Sequence, residues 1–320
     1  MTEAQIASTN ESEPAERPCR ILSLDGGGAK GFYTLGVLNQ LEAMYQRKPL
    51  CERFDLIFGT STGAIIAALL ALGTSVEEIH ALYKKYVPHL MSLTWASARS
   101  AALERLASEV FGDLTFGAMK TNIGIVAARW LEEKPMIFKS NEDQAHGMKS
   151  TFNPGFGCSV ADAVVASCSA YPIFKRKLVT VAGGGRVELL DGGYCANNPT
   201  LYAIADAVKA LKMDHRQLRV VSIGVGSYPE PPKYFHKWAI NKFFLVRLLH
   251  KTLAINTHSM EQLAALLFKD VPMVRVNDAY STPDMAADLM EHNTRKLDIL
   301  YQRGGESFGK HEAALRALLA

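Results

Sequence analysis

No stretch constrains this chain more than Phe54-Asp55-Leu56-Ile57-Phe58, Gly59-Thr60-Ser61-Thr62-Gly63 and the apolar run Ala64 to Leu72. The short apolar segment reads as a buried strand, the later run has the length and alanine/leucine content of a helix, and five residues join them. A turn that sharp leaves no room for bulky neighbours, so glycines flank the serine. Its hydroxyl is lifted to the start of a helix, where backbone N–H groups favour developing negative charge. Ser61 is therefore a candidate nucleophile. By itself G-x-S-x-G is a weak pattern that ordinary turns also contain.

An earlier segment adds to it. Arg20 to Leu24 reads as a strand, Asp25-Gly26-Gly27-Gly28-Ala29-Lys30-Gly31 as a glycine-rich loop, and Phe32 to Gln46 as a helix, the opening of an α/β unit. Successive glycines let backbone N–H groups converge on one anionic point, either a phosphate or the oxyanion of acyl transfer. The phosphate-loop pattern G-x-x-x-x-G-K-[ST] fails because Lys30 precedes the last glycine. G-x-G-x-x-G occurs at Gly26, Gly28 and Gly31, but the next strand-to-helix turn holds Ser61 where a dinucleotide fold wants an acidic residue. An oxyanion hole at Gly26, Gly27 and Gly28 fits better; a tight turn that binds nothing is the plain alternative.

Further on, Ser75-Val76-Glu77-Glu78 has capping-box spacing and starts a helix expected to end near Pro88. Met91 to Phe111 reads as helix. Asn122 to Ala128 and Pro135 to Lys139 read as strands, Ser159 to Ser167 as a capped helix, and Leu178 to Val181 and Arg186 to Leu190 as a hairpin around Gly183-Gly184-Gly185. The second hairpin strand ends at Asp191. There Asp191-Gly192-Gly193 turns the chain, and Asn198-Pro199 starts a helix to Leu211. Asp191 and Ser61 are thus both expected at C-terminal strand ends, where α/β sheets gather function. Asp-Gly-Gly alone would be read as a surface turn.

Asp25-Gly-Gly-Gly-Ala-Lys-Gly31, Gly59-Thr-Ser-Thr-Gly63 and Asp191-Gly-Gly193 with Ala196-Asn-Asn-Pro199 stand in one order, and together they resemble the patatin-like phospholipase family. Ser167, Ala170 and Pro172 extend the resemblance, which covers about Arg20 to Leu211. It implies a three-layer α/β/α fold with a mainly parallel sheet. It also implies a Ser-Asp dyad in which Ser61 attacks an ester carbonyl and Asp191 takes its proton, with no cofactor and no metal. The family's glycine loop usually carries arginine where this chain has Lys30, so a bidentate contact there does not carry over. The stretch Ile21 to Glu42 and the long helical tail are similar to bacterial patatin-like effectors of cyclic-oligonucleotide anti-phage signalling. That similarity implies a cyclic dinucleotide activator, a phospholipid membrane as substrate and destruction of the host membrane.

Other readings compete. An α/β-hydrolase triad would add a histidine such as His236, His250 or His258, none of which sits in a catalytic motif. A soluble small-ester hydrolase or acyltransferase would use the same dyad. A dead binding protein would lack one dyad member, and both are present.

The 320 residues and 48% hydrophobic content support one large domain at 19–320, with a core to about 228, a helical extension beyond it, and a polar tail at 1–18 expected to be disordered. A formal charge of +3 without blocks of like charge gives nucleic-acid polymers little to bind. The five cysteines are odd in number and lack zinc-ligand spacing, which fits free thiols and a cytoplasmic setting. Pro229 to Pro232 reads as a rigid connector, Leu218 to Val225 before it and Val271 to Val276 after it as strands, and Asp284 to Ala320 as helices. Lys237 to Lys251 mixes basic and large apolar residues as interfacial helices do, although packing against the core or a second copy of the chain accounts for it as well. The longest apolar run falls short of the roughly 20 residues that span a bilayer, so any membrane contact is expected to be peripheral.

Overall fold

The computed structural model describes residues 17–229, 240–282 and 285–320, with side chains of the helix starting at 240 described from 245 onward. The expected tail before residue 17, most of the Pro229–Pro232 connector, His236 and the first residues of the basic–apolar stretch lie outside the described residues.

The strands are β1 (Cys19–Leu24), β2 (Leu56–Thr60), β3 (Asn122–Arg129), β4 (Lys134–Lys139), β5 (Lys177–Thr180), β6 (Arg186–Asp191), β7 (Leu218–Ile223) and β8 (Met273–Val276). Helices α1 (Gly31–Met44), α2 (Thr62–Leu72), α3 (Val76–Ser92), α4 (Ala96–Phe111) and α5 (Val160–Ser167) precede the hairpin β5–β6. Helices α6 (Gly193–Ala196), α7 (Thr200–Lys209), α8 (Ile240–Leu267) and α9 (Thr294–Leu319) follow it. Parallel pairing runs β3-β2-β1-β7-β8, while β4 and β6 pair antiparallel with β3, and β5 antiparallel with β6.

Strand alternation builds two apolar layers, because successive side chains point to opposite faces. Leu22, Leu24, Ile57, Ile125 and Val221 join the cluster formed with α1, α2 and α9. Ile21, Leu56, Phe58, Val126 and Val220 meet Ala203, Ile204 and Ala207 of α7 on the other side. The result is the three-layer, mainly parallel arrangement expected.

Four local expectations change. Helix α3 runs through Pro88 to Ser92. Proline removes one N–H, yet Leu90 and Met91 prolong the buried stripe of Val76, Ile79, Tyr83 and Val87, and that burial outweighs one lost bond. A short helix, α6, precedes the one expected after Asn198, whose Oδ1 accepts the Thr200 N–H at 3.0 Å. Of the helices expected from Asp284 onward, α9 is the one α-helix among the described residues, starting where Asn293 accepts the N–H groups of Arg295 and Lys296. The core does not close near residue 228 either: β8 adds a strand beside β7, and α9 packs along α1.

Candidate active site

Ser61 sits between β2 and α2 with φ 54° and ψ −123°, a conformation in which a non-glycine residue is strained. The elbow is clamped around it. Its N–H donates to Ser167 Oγ at 2.9 Å, and Ser167 Oγ donates to the Val126 carbonyl at 2.6 Å. Thr60 Oγ1 donates to the Ala196 carbonyl at 2.7 Å, and the Tyr83 hydroxyl on α3 donates to the Thr62 carbonyl at 2.9 Å. A methyl group on Gly59 would run into the Gly63 carbonyl, and one on Gly63 into those of Leu24 and Asp25. Both flanking glycines are therefore required by close backbone approach.

Asp191 and Ser61 both stand at C-terminal strand ends, as expected, but on strands of opposite direction. Strand β4 occupies one edge of β3 over 124–129, so β2, paired over 122–126, and β6, paired over 127–129, share the other edge. They run head-on: Thr60 stands opposite Val126 and Asp191 opposite Ala127. Serine and carboxylate meet because a parallel and an antiparallel strand end on neighbouring residues of one partner. They do not lie side by side at one end of a parallel sheet.

Asp191 is buried, and Gly193 N–H donates to its Oδ1 at 2.7 Å. Burial pushes its pKa up to about 7, with the Gly193 N–H and the Ser61 hydroxyl pulling the other way. The Cys168 thiol, also against Ser61, is pushed well above its usual range by burial and by the Asp191 charge, which keeps it a neutral wall of the site. All five cysteines are free.

The glycine loop needs one correction. Gly26 N–H donates to the Asn197 carbonyl at 2.9 Å, so it is not available to an oxyanion. Gly27 and Gly28 line the same cavity as Ser61, and among the described residues neither N–H meets an acceptor. Gly28 has φ +58° and lies against the Leu289 carbonyl, a place closed to any side chain. That carbonyl accepts the Ala29 N–H at 2.9 Å.

The loop is anchored from a strand that sequence reading leaves unconnected to it. Arg275 on β8 holds the buried Asp25 bidentately, Nη1 to Oδ1 at 2.9 Å and Nη2 to Oδ2 at 2.6 Å, and also reaches Ser222 Oγ at 3.0 Å. Burial pushes the Asp25 carboxyl up and the guanidinium pulls it back. Lys30 is partly buried beside this pair; desolvation lowers its ammonium to about 8 against the pull of Asp288 and Asp25.

From Ser61 the cavity continues between α2, α3 and α4, walled by Ile65, Leu69, Val87, Leu90, Leu103 and Leu106. No histidine lines it among the described residues; His250 and His258 lie on α8, outside it. No cluster of metal-ligating side chains occurs among the described residues. Asn197, quoted above only as part of a motif, proves to be a wall of the cavity.

An elbow serine sharing an apolar cavity with a buried carboxylate places the chain among carboxylic ester hydrolases. Residues 22–204 match the family described as patatin-like phospholipase, and the chain belongs to that family. It is 61% identical over 301 residues to the cUMP-AMP-activated phospholipase of Escherichia coli, covering 94% of each chain. It is 27% identical over 276 residues to a cGAMP-activated phospholipase of Escherichia coli strain TW11681, covering 75% of this chain and 73% of that one. Among solved structures, VipD from Legionella pneumophila matches with a TM-score of 0.48 and 13% identity, over 94% of this chain and 67% of that one.

Proposed function

We propose that this protein is a cyclic-dinucleotide-gated serine lipid acyl hydrolase that cleaves fatty-acyl esters of membrane phospholipids through Ser61 and Asp191. The observation that carries the reading is a buried carboxylate that shares with Ser61 the head of an apolar cavity suited to a fatty-acyl chain.

In the first half-reaction Asp191 takes the hydroxyl proton as Ser61 Oγ attacks the acyl carbon. An ordinary carboxylate is too weak a base for this; raising it toward 7 narrows the gap. The free N–H groups of Gly27 and Gly28, with the start of α2, face the developing oxyanion. Asp191 then gives its proton to the departing lysolipid alcohol, and water cleaves the acyl-enzyme. Because only ionised Asp191 accepts a proton, kcat/KM is expected to rise with pH around a midpoint of about 7. A profile already level from pH 5 upward would contradict Asp191 as the base.

Gating rests on similarity to the cUMP-AMP-activated relative. No helix among the described residues is long and apolar enough to cross a membrane; the lipid substrate is met from the cytoplasm at the inner membrane face. Degradation of the host membrane in response to phage is the role such gating serves. With phosphatidylethanolamine–phosphatidylglycerol vesicles, fatty-acid release is expected to be low alone and to rise at least about tenfold with cUMP-AMP, a coupling of roughly 1.4 kcal/mol. Full release without nucleotide would overturn the gating, and release from short-chain esters but not from vesicles would favour the small-ester alternative.

A further inference from the structure

Among the described residues, Asn197 has an acceptor that no donor satisfies. Its Nδ2 donates to the Gly26 carbonyl at 3.1 Å and to Thr257 Oγ1 at 2.7 Å. Those two bonds fix the amide's orientation, because a flipped amide would set oxygen against the Gly26 carbonyl. Oδ1 is then left buried without a donor, on a side chain only 6% exposed. A sealed acceptor of this kind is costly to keep, so a donor that arrives during turnover is the natural explanation.

Position says which donor. A methyl group on Gly193 would lie 2.8 Å from Asn197 Oδ1 and 3.0 Å from Asp191 Oδ1, so both oxygens approach one spot beside the bare Gly193 backbone. A methyl on Gly26 would meet the same Asn197 oxygen and lie 3.2 Å from Ser61 Cβ. Two acceptors thus flank the place where the serine ester forms. During the cycle the Ser61 hydroxyl, the protonated Asp191 and the leaving alcohol each bring one proton, which the base and its partners already use. Only the hydrolytic water brings a second O–H.

We infer that Asn197 is a catalytic residue of the deacylation half-reaction, its Oδ1 holding the hydrolytic water jointly with Asp191. The inference rests on the dyad proposed above. The water oxygen attacks the acyl carbon of the Ser61 ester while one water proton passes to Asp191 and the other O–H stays hydrogen-bonded to Asn197 Oδ1. When the tetrahedral intermediate collapses, the bond from acyl carbon to Ser61 Oγ breaks and Asp191 returns its proton to Oγ. The second hydrogen leaves on the fatty acid. In the resting structure Leu253 on α8 closes this spot, its Cδ2 standing 2.6 Å from the Gly193 methyl position. Water enters once that side chain turns aside, a rotamer change rather than a rearrangement of the fold.

An alcohol offers the acyl-enzyme one O–H and needs only Asp191. Removing the Asn197 acceptor should therefore slow hydrolysis while sparing alcoholysis, and their ratio is insensitive to how much enzyme folds or how fast it acylates. The experiment uses the full chain with cUMP-AMP and p-nitrophenyl butyrate in water–methanol, measuring methyl butyrate against butyrate. Asn197→Ala is expected to raise that ratio about tenfold, the effect of one hydrogen bond to a reacting group. Thr257→Val loosens the amide's other end and leaves Oδ1 in place, so it is expected to keep the wild-type ratio. If the alanine variant does not fold, Asn197→Ser withdraws the acceptor in a milder form and takes its place. An unchanged ratio in whichever variant folds, or an equal rise in Thr257→Val, overturns the assignment. Turnover surviving in Ser61→Ala would instead overturn the dyad beneath it.

Discussion

Ser61→Ala and Asp191→Asn are each expected to abolish release of fatty acid from vesicles, by about 10⁴-fold or more for the serine, while leaving the fold intact. The two variants part company in stability. Asp191 has its pKa raised from the usual 3.8 to about 7 by burial, so the folded state binds its proton more tightly than the unfolded chain does. Linkage then makes stability fall as pH rises from about 4 to about 7, and above that window the whole cost of burying the charge is present. Asparagine carries no charge and still accepts from the Gly193 N–H. Asp191→Asn is therefore expected to melt higher than wild type at pH 8 and at much the same temperature near pH 4, whereas Ser61→Ala shows no such crossover. A dead enzyme that is more stable only at high pH is the signature of a carboxylate kept in place for chemistry at the expense of the fold. Thermal melts at pH 4 and pH 8, beside vesicle assays, check it; an Asp191→Asn variant less stable than wild type at pH 8 contradicts the raised pKa.

Arg275→Ala is the second large expectation. It strands the buried Asp25 without its bidentate partner, and breaking such a pair costs about 3–5 kcal/mol. That corresponds to a fall in Tm of roughly 4–7 °C for a chain of this length. Replacing both partners with leucine removes the stranded charge and is expected to recover much of the stability. Activity should not return with it, because Asp25 is the first residue of the loop that holds the Gly27 and Gly28 N–H groups. A double variant with wild-type turnover would show that the pair merely supports the fold. A single variant as stable as wild type would show that Asp25 is protonated and indifferent to Arg275.

What the chain disclosed in advance divides along physical lines. Ser61 was legible because the elbow is local: strand, glycines and helix lie within twenty residues. Asp191 was legible as the end of a strand, and its pairing with Ser61 from the motif resemblance, but the strand directions that bring the two together were not. Whether β6 runs parallel or antiparallel depends on which edge of β3 it takes, and hairpin spacing says nothing of that. Pro88 misled because a local rule about backbone N–H groups was overruled by burial of Leu90 and Met91. Gly26 misled for the opposite reason: the loop's composition was right, but one of its donors is used by Asn197, a residue remote in sequence. Arg275 carried no signal, since an arginine 250 positions from its aspartate sits in no motif. Short-range chemistry was readable, and long-range pairing was not.

The head-on meeting of β2 and β6 along one edge of β3 has a consequence for synthesis. A ribosome completes the serine elbow and the glycine loop long before it reaches the aspartate, so a partly made chain holds Ser61 without the carboxylate beside it. The pair comes together only when the end of β6 docks beyond Thr60. Broken messages and stalled translation that end short of Asp191 therefore yield fragments in which Ser61 lacks its neighbouring carboxylate.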